Sequence, residues 1–334
     1  SLVITGDINS VFYNRRASRY LKDTVNFTRT NESIIINTDN NLNKSIDRIK
    51  KLCEYIGAEL VYTEKISDAV ANYAIEEQKF SEFSKKARLI RDNHCNKDDF
   101  KQFVESVIVN LPNRSLYELQ LLSAYHLAFS QNACNFSVPG AGKTSVVYGA
   151  FAYLSNLPRD DKKLVDLLLI ISPLSAFGPW ELEYTECFGE RPSTKRLNVK
   201  LTLEEKKQYL YSQTPAKITL LSYASVPSLK EELIYFLKNN KVMVVLDEAH
   251  KIKNTSGGVT ATNVLEIAAY CSSRVVLTGT PAPNGYEDLY NLYKFIWPSK
   301  KVIPFEVYQL NDMSKNQNDI RVDTLLQSIE PFFI

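Results

Sequence analysis

The length and composition of the chain set the first limits on its structure. It has 334 residues, 44% of them hydrophobic, which is enough to bury a large core and to form more than one domain. The 40 basic and 38 acidic residues nearly balance, so any nucleic-acid surface has to be local. The five cysteines are scattered without C-x-x-C pairs, which favours buried thiols over disulfides or zinc. No apolar run reaches the ~18 residues that cross a bilayer, and no signal-peptide layout is visible. We therefore expect a soluble protein without a membrane partner, cytoplasmic or, in a eukaryote, nuclear.

The first 110 residues predict a small α/β domain. Apolar residues at helical spacing run from Leu42 to Ile56, and Gly57 follows as a helix stop. The other predicted elements are strands at Leu2–Ile4, Ser33–Ile36 and Glu59–Tyr62 and a long polar helix from Ile66 to Arg91. No motif in this region indicates a chemistry. We expect an accessory domain, residues 1–110, that could bind a protein partner.

From residue 111 onward, strands and helices alternate. Apolar runs separated by segments long enough for crossover helices lie at Leu167–Ile171, Ile218–Leu221, Val242–Leu246 and Val275–Leu277. This order predicts a doubly wound parallel sheet in a domain of residues 111–334. A polar signature follows each run, at Ser172-Pro173, Ser222-Tyr223, Asp247-Glu248 and Thr278-Gly279-Thr280. Because the carboxyl ends of parallel strands meet at one edge, these signatures should face one ligand.

A glycine-rich phrase, SVPGAGKT, covers residues 137–144. Gly140 and Gly142 remove side chains from a tight turn, so that backbone N–H groups at the start of a helix can face one anion. Lys143 would place its ammonium between the outer phosphates, and Thr144 would offer its hydroxyl to Mg²⁺. The predicted ATP-binding residues are Pro139, Gly140, Ala141, Gly142, Lys143, Thr144 and Ser145. A plain glycine-rich turn before a helix is the alternative, since Ser137 stands where the full pattern has glycine.

An acidic turn follows the apolar run that ends at Leu246. The run is typical of a strand buried on both faces, and it leads directly into Asp247-Glu248-Ala249-His250. Asp247 is the expected ligand of Mg²⁺, and Glu248 is expected to orient or deprotonate the attacking water. These two carboxylates and Lys143 are the predicted catalytic residues. The alternative is a solvated turn after a strand.

Seven segments occur in a fixed order between Leu116 and Ile334. They are LYELQ (116–120), SVPGAGKT (137–144), PLSAFGPWELE (173–183), LLSY (220–223), LDEAHKIKN (246–254), LTGTPAPN (277–284), and GYEDLYNLYKFIWP (285–298) followed by IEPFFI (329–334). Together they resemble the Snf-type (SWI/SNF) branch of the superfamily-two helicase-like ATPases. The resemblance implies a RecA-like P-loop NTPase lobe, the first of two lobes that close over one ATP in a translocase on double-stranded DNA.

The resemblance also implies roles for individual residues. Gln120 would pair with the edge of the adenine base. Residues expected to grip a DNA strand backbone without reading its sequence are Pro173, Leu174, Ser175, Ser222 and Tyr223. Residues expected to couple the nucleotide state to that grip are His250, Thr278, Gly279 and Thr280. A lone tryptophan after Gly-Pro more often packs under a loop than stacks on a base, so Trp180 is expected to pack. His94 and His126 receive no role.

Two phrases depart from the eukaryotic remodellers of this family. The phosphate loop has Val138-Pro139 and Ala141, and the LTGTPAPN segment has Ala282-Pro283. Both departures favour a prokaryotic or viral relative, including restriction and anti-phage systems, over a nucleosome remodeller. In the family, PFFI-like residues lead on to the second lobe, which supplies an arginine finger. We therefore expect slow hydrolysis by these 334 residues alone and a second lobe in the parent protein.

Two other functions remain open at this point. RNA helicases also use the tetrapeptide DEAH, although PLS-x(4)-W and KIKN are nearer the Snf-type pattern. A module without turnover could instead use nucleotide as a clamp for a partner. The intact Lys143, Thr144, Asp247 and Glu248 favour an enzyme over such a module.

Overall fold

The computed structural model describes residues 2–37, 42–63, 78, 80–92, 94–255, 258–316 and 318–334. The chain divides into two units, Ser1–Ser81 and Glu82–Ile334. Among the described helices, none combines the length and the apolar composition that crossing a membrane requires.

The first unit is built on a three-stranded antiparallel sheet. Its elements are β1 (Leu2–Thr5), α1 (Asn9–Tyr13), α2 (Arg15–Thr24), β2 (Phe27–Arg29), β3 (Ser33–Ile36) and α3 (Leu42–Ile56), with the strands in the order β1-β3-β2. α2 begins after Asn14, whose side chain accepts hydrogen bonds from the backbone N–H groups of Arg16 and Ala17. Leu21 of α2 and Ile34 of β3 are buried in one core, so the sheet is covered by helix.

Most predicted elements of this region are confirmed. The predicted strands Leu2–Ile4 and Ser33–Ile36 are β1 and β3, and the predicted helix is α3. Gly57 adopts φ +65°, a left-handed conformation that suits the end of a helix. The prediction of a strand at Glu59–Tyr62 is wrong: these residues form no strand, Leu60 packs on the core, and Val61 is 93% exposed. Of the long helix predicted from Ile66 to Arg91, residues 64–77 and 79 lie outside the described part, and residues 80–91 are helical (α4).

The second unit contains a six-stranded parallel sheet, which confirms the predicted parallel sheet and adds β4 and β6 to the four predicted strands. Its strands are β4 (Asn132–Asn135), β5 (Leu167–Ile171), β6 (Thr194–Leu197), β7 (Ile218–Leu221), β8 (Val242–Asp247) and β9 (Ser273–Leu277), in the order β4-β9-β8-β5-β7-β6. Every strand pair of this sheet is parallel. The four predicted polar signatures therefore lie at one edge of the sheet.

Helices alternate with these strands. They are α5 (Lys97–Asn110), α6 (Glu118–Ser130), α7 (Lys143–Leu154), α8 (Phe177–Phe188), α9 (Leu203–Leu210), α10 (Lys230–Asn239), α11 (Val259–Ala268), α12 (Asp288–Ile296), α13 (Val307–Lys315) and α14 (Arg321–Ile329). In β5, Leu168 and Ile170 join the core that α5–α8 cover, while Leu169 and Ile171 are fully buried on the other face. Both faces of the sheet are thus covered, which confirms the doubly wound prediction.

The boundary between the units differs from the predicted one. The second unit begins at Glu82, whereas the sequence placed the boundary between residues 110 and 111. The physical reason is α5: its Phe103 and Val107 are buried in the same core as Val147 of α7. An accessory role for residues 1–110 stays a prediction.

The last residues of the chain lie along β4. The N–H group of Phe136 donates to the carbonyl of Ile334 at 2.8 Å, and the N–H group of Ile334 donates to the carbonyl of Cys134 at 3.1 Å. Arg91 of α4 donates to the Phe333 carbonyl at 2.8 Å and lies over the Phe333 ring. The strand that leads into residues 137–144 is therefore held on one side by β9 and on the other by this segment.

Candidate nucleotide site

The glycine-rich loop joins β4 to α7. Gly140 and Gly142 adopt φ +83° and +78°, which side chains rarely tolerate. Gly142 is the N-cap of α7 and brings no capping side chain, so the first N–H groups of this 12-residue helix are open to an anion. The Lys143 ammonium donates to the carbonyls of Ser137 at 2.9 Å and Val138 at 3.2 Å. The loop thus gathers a cation and helix N–H groups around one point, which fits a bound phosphate.

Gln120 lies against this loop. Its Nε2 donates to the Ala141 carbonyl at 3.1 Å, and its Oε1 accepts from the N–H group of Tyr117 at 3.1 Å. A Cβ atom at Gly142 would displace the Gln120 amide from this position, so the two residues are in close contact. Gln120 therefore supports the loop, and its predicted contact with adenine stays a prediction.

The acidic turn lies at the end of β8, next to the central strands. The Oδ1 of Asp247 accepts from the N–H group of Glu248 at 3.0 Å, and Oδ2 accepts from the Trp180 indole N–H at 2.9 Å. Burial raises the pKa of Asp247, while the Trp180 hydrogen bond and the Lys143 ammonium oppose that rise. Each carboxylate oxygen keeps further lone pairs, so Asp247 is oriented but still able to bind a cation.

The oxygen atoms at this edge suit Mg²⁺. Thr144 lies half-buried in the first turn of α7, and the Asp247 carboxylate is the second hard ligand that the sequence predicted. Among the described residues, no group of three or more His, Cys, Asp or Glu side chains could hold a metal by itself. That arrangement fits Mg²⁺, which proteins often bind through one or two side chains together with substrate phosphates.

Glu248 occupies a strained backbone position. Its φ of +52° is left-handed, which is uncommon for a residue other than glycine and often marks functional sites. Its side chain is 49% exposed and can reach water. His250 Nδ1 lies 3.2 Å from Glu248 Oε2 but is not aligned as a hydrogen bond. The turn thus presents a carboxylate to solvent beside the partly buried Asp247.

The LTGTPAPN segment follows β9 and touches the phosphate loop. A Cβ atom at Gly279 would lie 2.8 Å from Pro139 Cδ, so the two loops are in close contact. Thr278 is fully buried, and its Oγ1 accepts from the N–H group of Thr280 at 3.2 Å. The predicted coupling residues Thr278–Thr280 are therefore next to the nucleotide loop, as coupling would require.

Comparison with known proteins shows the family of the chain. A family model described as the SNF2-related domain matches residues 136–334, more than half of the chain. The chain belongs to the SNF2-related family. The match includes the phosphate loop, the acidic turn and the LTGTPAPN segment, and it begins after Gln120.

Individual relatives of this SNF2-related protein are much longer than the chain. A Mycoplasma pneumoniae protein described as an uncharacterized ATP-dependent helicase is 27% identical over 195 residues, covering 58% of this chain and 17% of that protein. The chromatin-remodeling ATPase INO80 of Candida albicans is 27% identical over 167 residues (48% and 11%). The mouse DNA excision repair protein ERCC-6-like is 31% identical over 159 residues (47% and 12%). The chain thus spans less than a fifth of each of these relatives.

A solved structure shares the fold of the SNF2-related unit. It is the Sulfolobus solfataricus SWI2/SNF2 ATPase core in complex with dsDNA, with a TM-score of 0.50 and 21% identity. The likeness covers 67% of this chain and 45% of that chain. It shows that the parallel sheet of the second unit is a RecA-like lobe.

The strand-end residues predicted to touch DNA differ in exposure. Leu174 is 49% exposed in a 3-10 turn after Pro173, and Ser175 follows it in the same turn. Ser222 Oγ lies 2.9 Å from Ser225 Oγ. Tyr223 is only 8% exposed, and its hydroxyl donates to the Asp247 carbonyl at 2.9 Å. A contact from Tyr223 to a DNA strand would therefore have to use its backbone, since its side chain supports the acidic turn.

Sequence reasoning missed the residues that hold the site together. Trp180 is 1% exposed, which bears out the packing prediction, but its hydrogen bond to Asp247 was not foreseen. Ser145, predicted to bind nucleotide, donates its hydroxyl to Glu183 of α8. On α12, Asn291 donates to the carbonyls of Ile252 at 2.7 Å and Asn254 at 3.0 Å, in the KIKN segment. The sequence did offer one signal for Asn291, because this polar residue lies within the apolar pattern of α12.

Proposed function

We propose that the SNF2-related unit binds ATP with Mg²⁺ and hydrolyses it when the parent protein engages double-stranded DNA. The observation that carries the proposal is that Lys143, at the start of α7 after the β4 loop, and Asp247, at the end of β8, lie at the same edge of one parallel sheet. Ligands of open α/β sheets bind at this edge. A cation for phosphate and a carboxylate for metal at that place match the needs of phosphoryl transfer.

Each site residue has a distinct task in this mechanism. Lys143 and the N–H groups at the start of α7 hold the phosphates, and Thr144 and Asp247 would hold the metal. Bound Mg²⁺ would supply Lewis-acid neutralisation of phosphate charge. Glu248, exposed and strained at the end of β8, orients the attacking water and accepts its proton. Because Gly279 and Pro139 are in tight contact, a movement of the phosphate loop would be transmitted to the LTGTPAPN loop.

Double-stranded DNA is the track that we propose. Names of relatives include a DNA excision repair protein, and the solved structure of the same fold is a complex with dsDNA. The exposed turn at Leu174–Ala176 lies at the same sheet edge and offers hydroxyl and N–H groups to a phosphate backbone. Contacts of this kind are independent of sequence, as stepping along DNA requires.

A test of this function starts with Lys143. In the full-length protein that contains this chain, Lys143→Ala should lower DNA-stimulated ATP hydrolysis by about 100-fold, because the ammonium that neutralises phosphate charge is lost. Lys162→Ala, at an exposed lysine before β5, is the matched control and should leave the rate unchanged. Duplex DNA, single-stranded DNA and RNA are compared as stimulants. Equal rates for Lys143→Ala and the wild type would refute the motor, and a preference for RNA would replace DNA with RNA as the track.

We propose two finer points with the same function. Rapid turnover requires a second RecA-like lobe in the parent protein, because the resemblance implies that this lobe supplies an arginine finger. Hydrolysis by residues 1–334 alone should then be slow beside that of the full protein. The residues Val138-Pro139 and Ala282-Pro283 support an intracellular role in restriction or anti-phage defence rather than on nucleosomes. Stimulation by nucleosomes beyond that by naked DNA would contradict this second point.

A further inference from the structure

Helix α8 bonds to two segments of the proposed site, the acidic turn after β8 and the first turn of α7. Trp180 and Glu183 are three residues apart and therefore lie on the same side of the helix. Trp180 donates to the Asp247 carboxylate at the end of β8, at 2.9 Å. Glu183 accepts from the hydroxyl of Ser145, in the first turn of α7. One helical face thus bonds to the acidic turn and to the residue that follows Thr144.

The Trp180 bond is well suited to orient a metal-binding carboxylate. The indole N–H can only donate, and its residue is 1% exposed, so water is a poor competitor for the bond. It occupies Oδ2 of Asp247, while the Glu248 N–H group occupies Oδ1. The carboxylate is thereby fixed in orientation and keeps lone pairs for a cation. Partners of this kind, one shell outside the metal, fix ligand geometry in known metal sites.

The Glu183 end of the helix is held from two directions. Arg114 donates to Glu183 Oε1 at 2.7 Å, and Ser145 donates to the same oxygen. The Arg114 guanidinium and the Ser145 hydroxyl therefore hold the same Glu183 oxygen, and hydrogen bonds to a carboxylate in an ion pair are stronger than bonds between neutral groups. The first turn of α7, which contains Thr144, is therefore attached to α8 through a charge-assisted bond.

A third bond joins the two helices midway between these ends. Tyr148 of α7 is fully buried, and its hydroxyl donates to the Trp180 carbonyl at 2.6 Å. The Tyr148 ring also meets the Trp180 ring edge to face, with 5.5 Å between centroids. The indole is thus fixed by α7, the same helix that begins at the phosphate loop.

We infer that α8 sets the geometry of the Mg²⁺ site, with Trp180 and Glu183 as positioning residues for Asp247 and for the Thr144 turn. This inference rests on the proposed ATP function but concerns residues that do not themselves contact nucleotide. Loss of the Trp180 bond lowers the affinity of the site for Mg²⁺ with nucleotide, because Asp247 loses its fixed orientation. Folding and the phosphate loop are left in place.

The test replaces each of the two tryptophans of the chain by phenylalanine. Trp180→Phe keeps an aromatic ring and removes the N–H donor. Trp297→Phe is the matched control, since Trp297 is also buried, at 4% exposed, and packs on Phe83 and Phe332. Binding of a fluorescent N-methylanthraniloyl ATP is measured against Mg²⁺ concentration in the full-length protein, without turnover. Urea unfolding of both variants checks that their folds are intact.

We expect the half-maximal Mg²⁺ concentration to rise about 10-fold in Trp180→Phe and less than about twofold in Trp297→Phe. An equal shift in both variants would overturn the inference while leaving the ATP function standing. Failure of the wild type to bind the analogue at any Mg²⁺ concentration would overturn both. If Trp180→Phe does not fold, Tyr148→Phe removes only the oxygen that holds the Trp180 carbonyl. Its half-maximal Mg²⁺ concentration should rise about threefold, and an unchanged value would contradict the inference.

Discussion

Two helices, α8 and α12, hold the chain around β8 by different means. On α8, Trp180 and Glu183 bond to side chains of site residues, Asp247 and Ser145. On α12, Asn291 bonds instead to backbone carbonyls of the KIKN segment that follows the acidic turn. One helix fixes the functional groups themselves, and the other fixes the path of the chain.

Asp288 forms a second attachment between α12 and the loops after β8 and β9. Asp288 is 4% exposed and accepts from the backbone N–H group of Asn284, in the LTGTPAPN loop, at 3.0 Å. Lys253 of the KIKN segment lies 3.6 Å from the same carboxylate. α12 therefore joins the segments that follow β8 and β9 through Asp288. Changes in α8 should act on metal affinity, whereas changes in α12 should act on communication between loops.

The largest effect is expected at Glu248, between the two helices. Glu248→Gln should lower DNA-stimulated turnover by about 10² to 10⁴-fold, because a general base is lost. Nucleotide binding and its Mg²⁺ dependence should stay unchanged, since Asp247 and Trp180 remain in place. Glu231→Gln, at a side chain 76% exposed, is the control. A shifted Mg²⁺ dependence in Glu248→Gln would contradict the assignment of metal binding to Asp247 and of water activation to Glu248.

The next effect concerns α12. Asn291→Ala removes the donor to two carbonyls in a buried place, so the free energy of unfolding should fall by about 3 kcal/mol. Stimulation of turnover by DNA should fall as well, while the half-maximal Mg²⁺ concentration for nucleotide binding stays at the wild-type value. Urea unfolding, ATPase assays and the Mg²⁺ titration measure the three quantities.

The control for this variant is Asn263→Ala on α11. The Asn263 amide bonds within its own helix, to the Val259 carbonyl, so its loss should cost little. A rise in the half-maximal Mg²⁺ concentration in Asn291→Ala as large as that in Trp180→Phe would remove the distinction between the two helices.

Local signals made the sheet edge predictable. Glycines mark the loop at residues 137–144, and an apolar run that ends in a charged residue marks the acidic turn. Both segments lie where the sequence predicted, at the ends of strands. The bonds that position them were not predictable. Trp180 and Asp247 are 67 residues apart in sequence, and no local pattern shows that the helix after β5 places one beside the other. Tertiary packing alone makes that contact.

The misses in the first part of the chain have a similar origin. Glu59–Tyr62 contains residue types that favour strands, but a strand also needs a neighbouring strand to pair with, and these described residues form no strand. The domain boundary was placed after α5 because no motif precedes it. Phe103 and Val107 nevertheless belong to the core of the second unit. Residue types and motifs indicate which secondary structure a segment prefers, but they do not show which core a helix packs into.

The smallest predicted effect comes from His126 on α6. The residue is fully buried, and its Nε2 lies 2.9 Å from the Pro331 carbonyl. Burial lowers the pKa of His126 from 6.5 to about 4, the Pro331 hydrogen bond opposes this shift, and the Arg91 charge adds to it. As pH falls below 6.5, the unfolded chain therefore gains a proton that the folded chain does not. The free energy of unfolding falls between pH 6.5 and about 4, by about 2 kcal/mol at pH 5.

Urea unfolding at pH 7 and pH 5 measures this loss. His126→Gln keeps an N–H donor for the Pro331 carbonyl but does not titrate, so its loss of stability from pH 7 to pH 5 should be smaller by about 2 kcal/mol. His94→Gln, at an exposed ring, should behave as the wild type does. Independent sites contribute additively, so independence predicts that acidification lowers the stability of Trp180→Phe and Asn291→Ala by equal amounts. An unequal fall would mean that α8 or α12 is coupled to α6, and that the two helices do not act on the site independently.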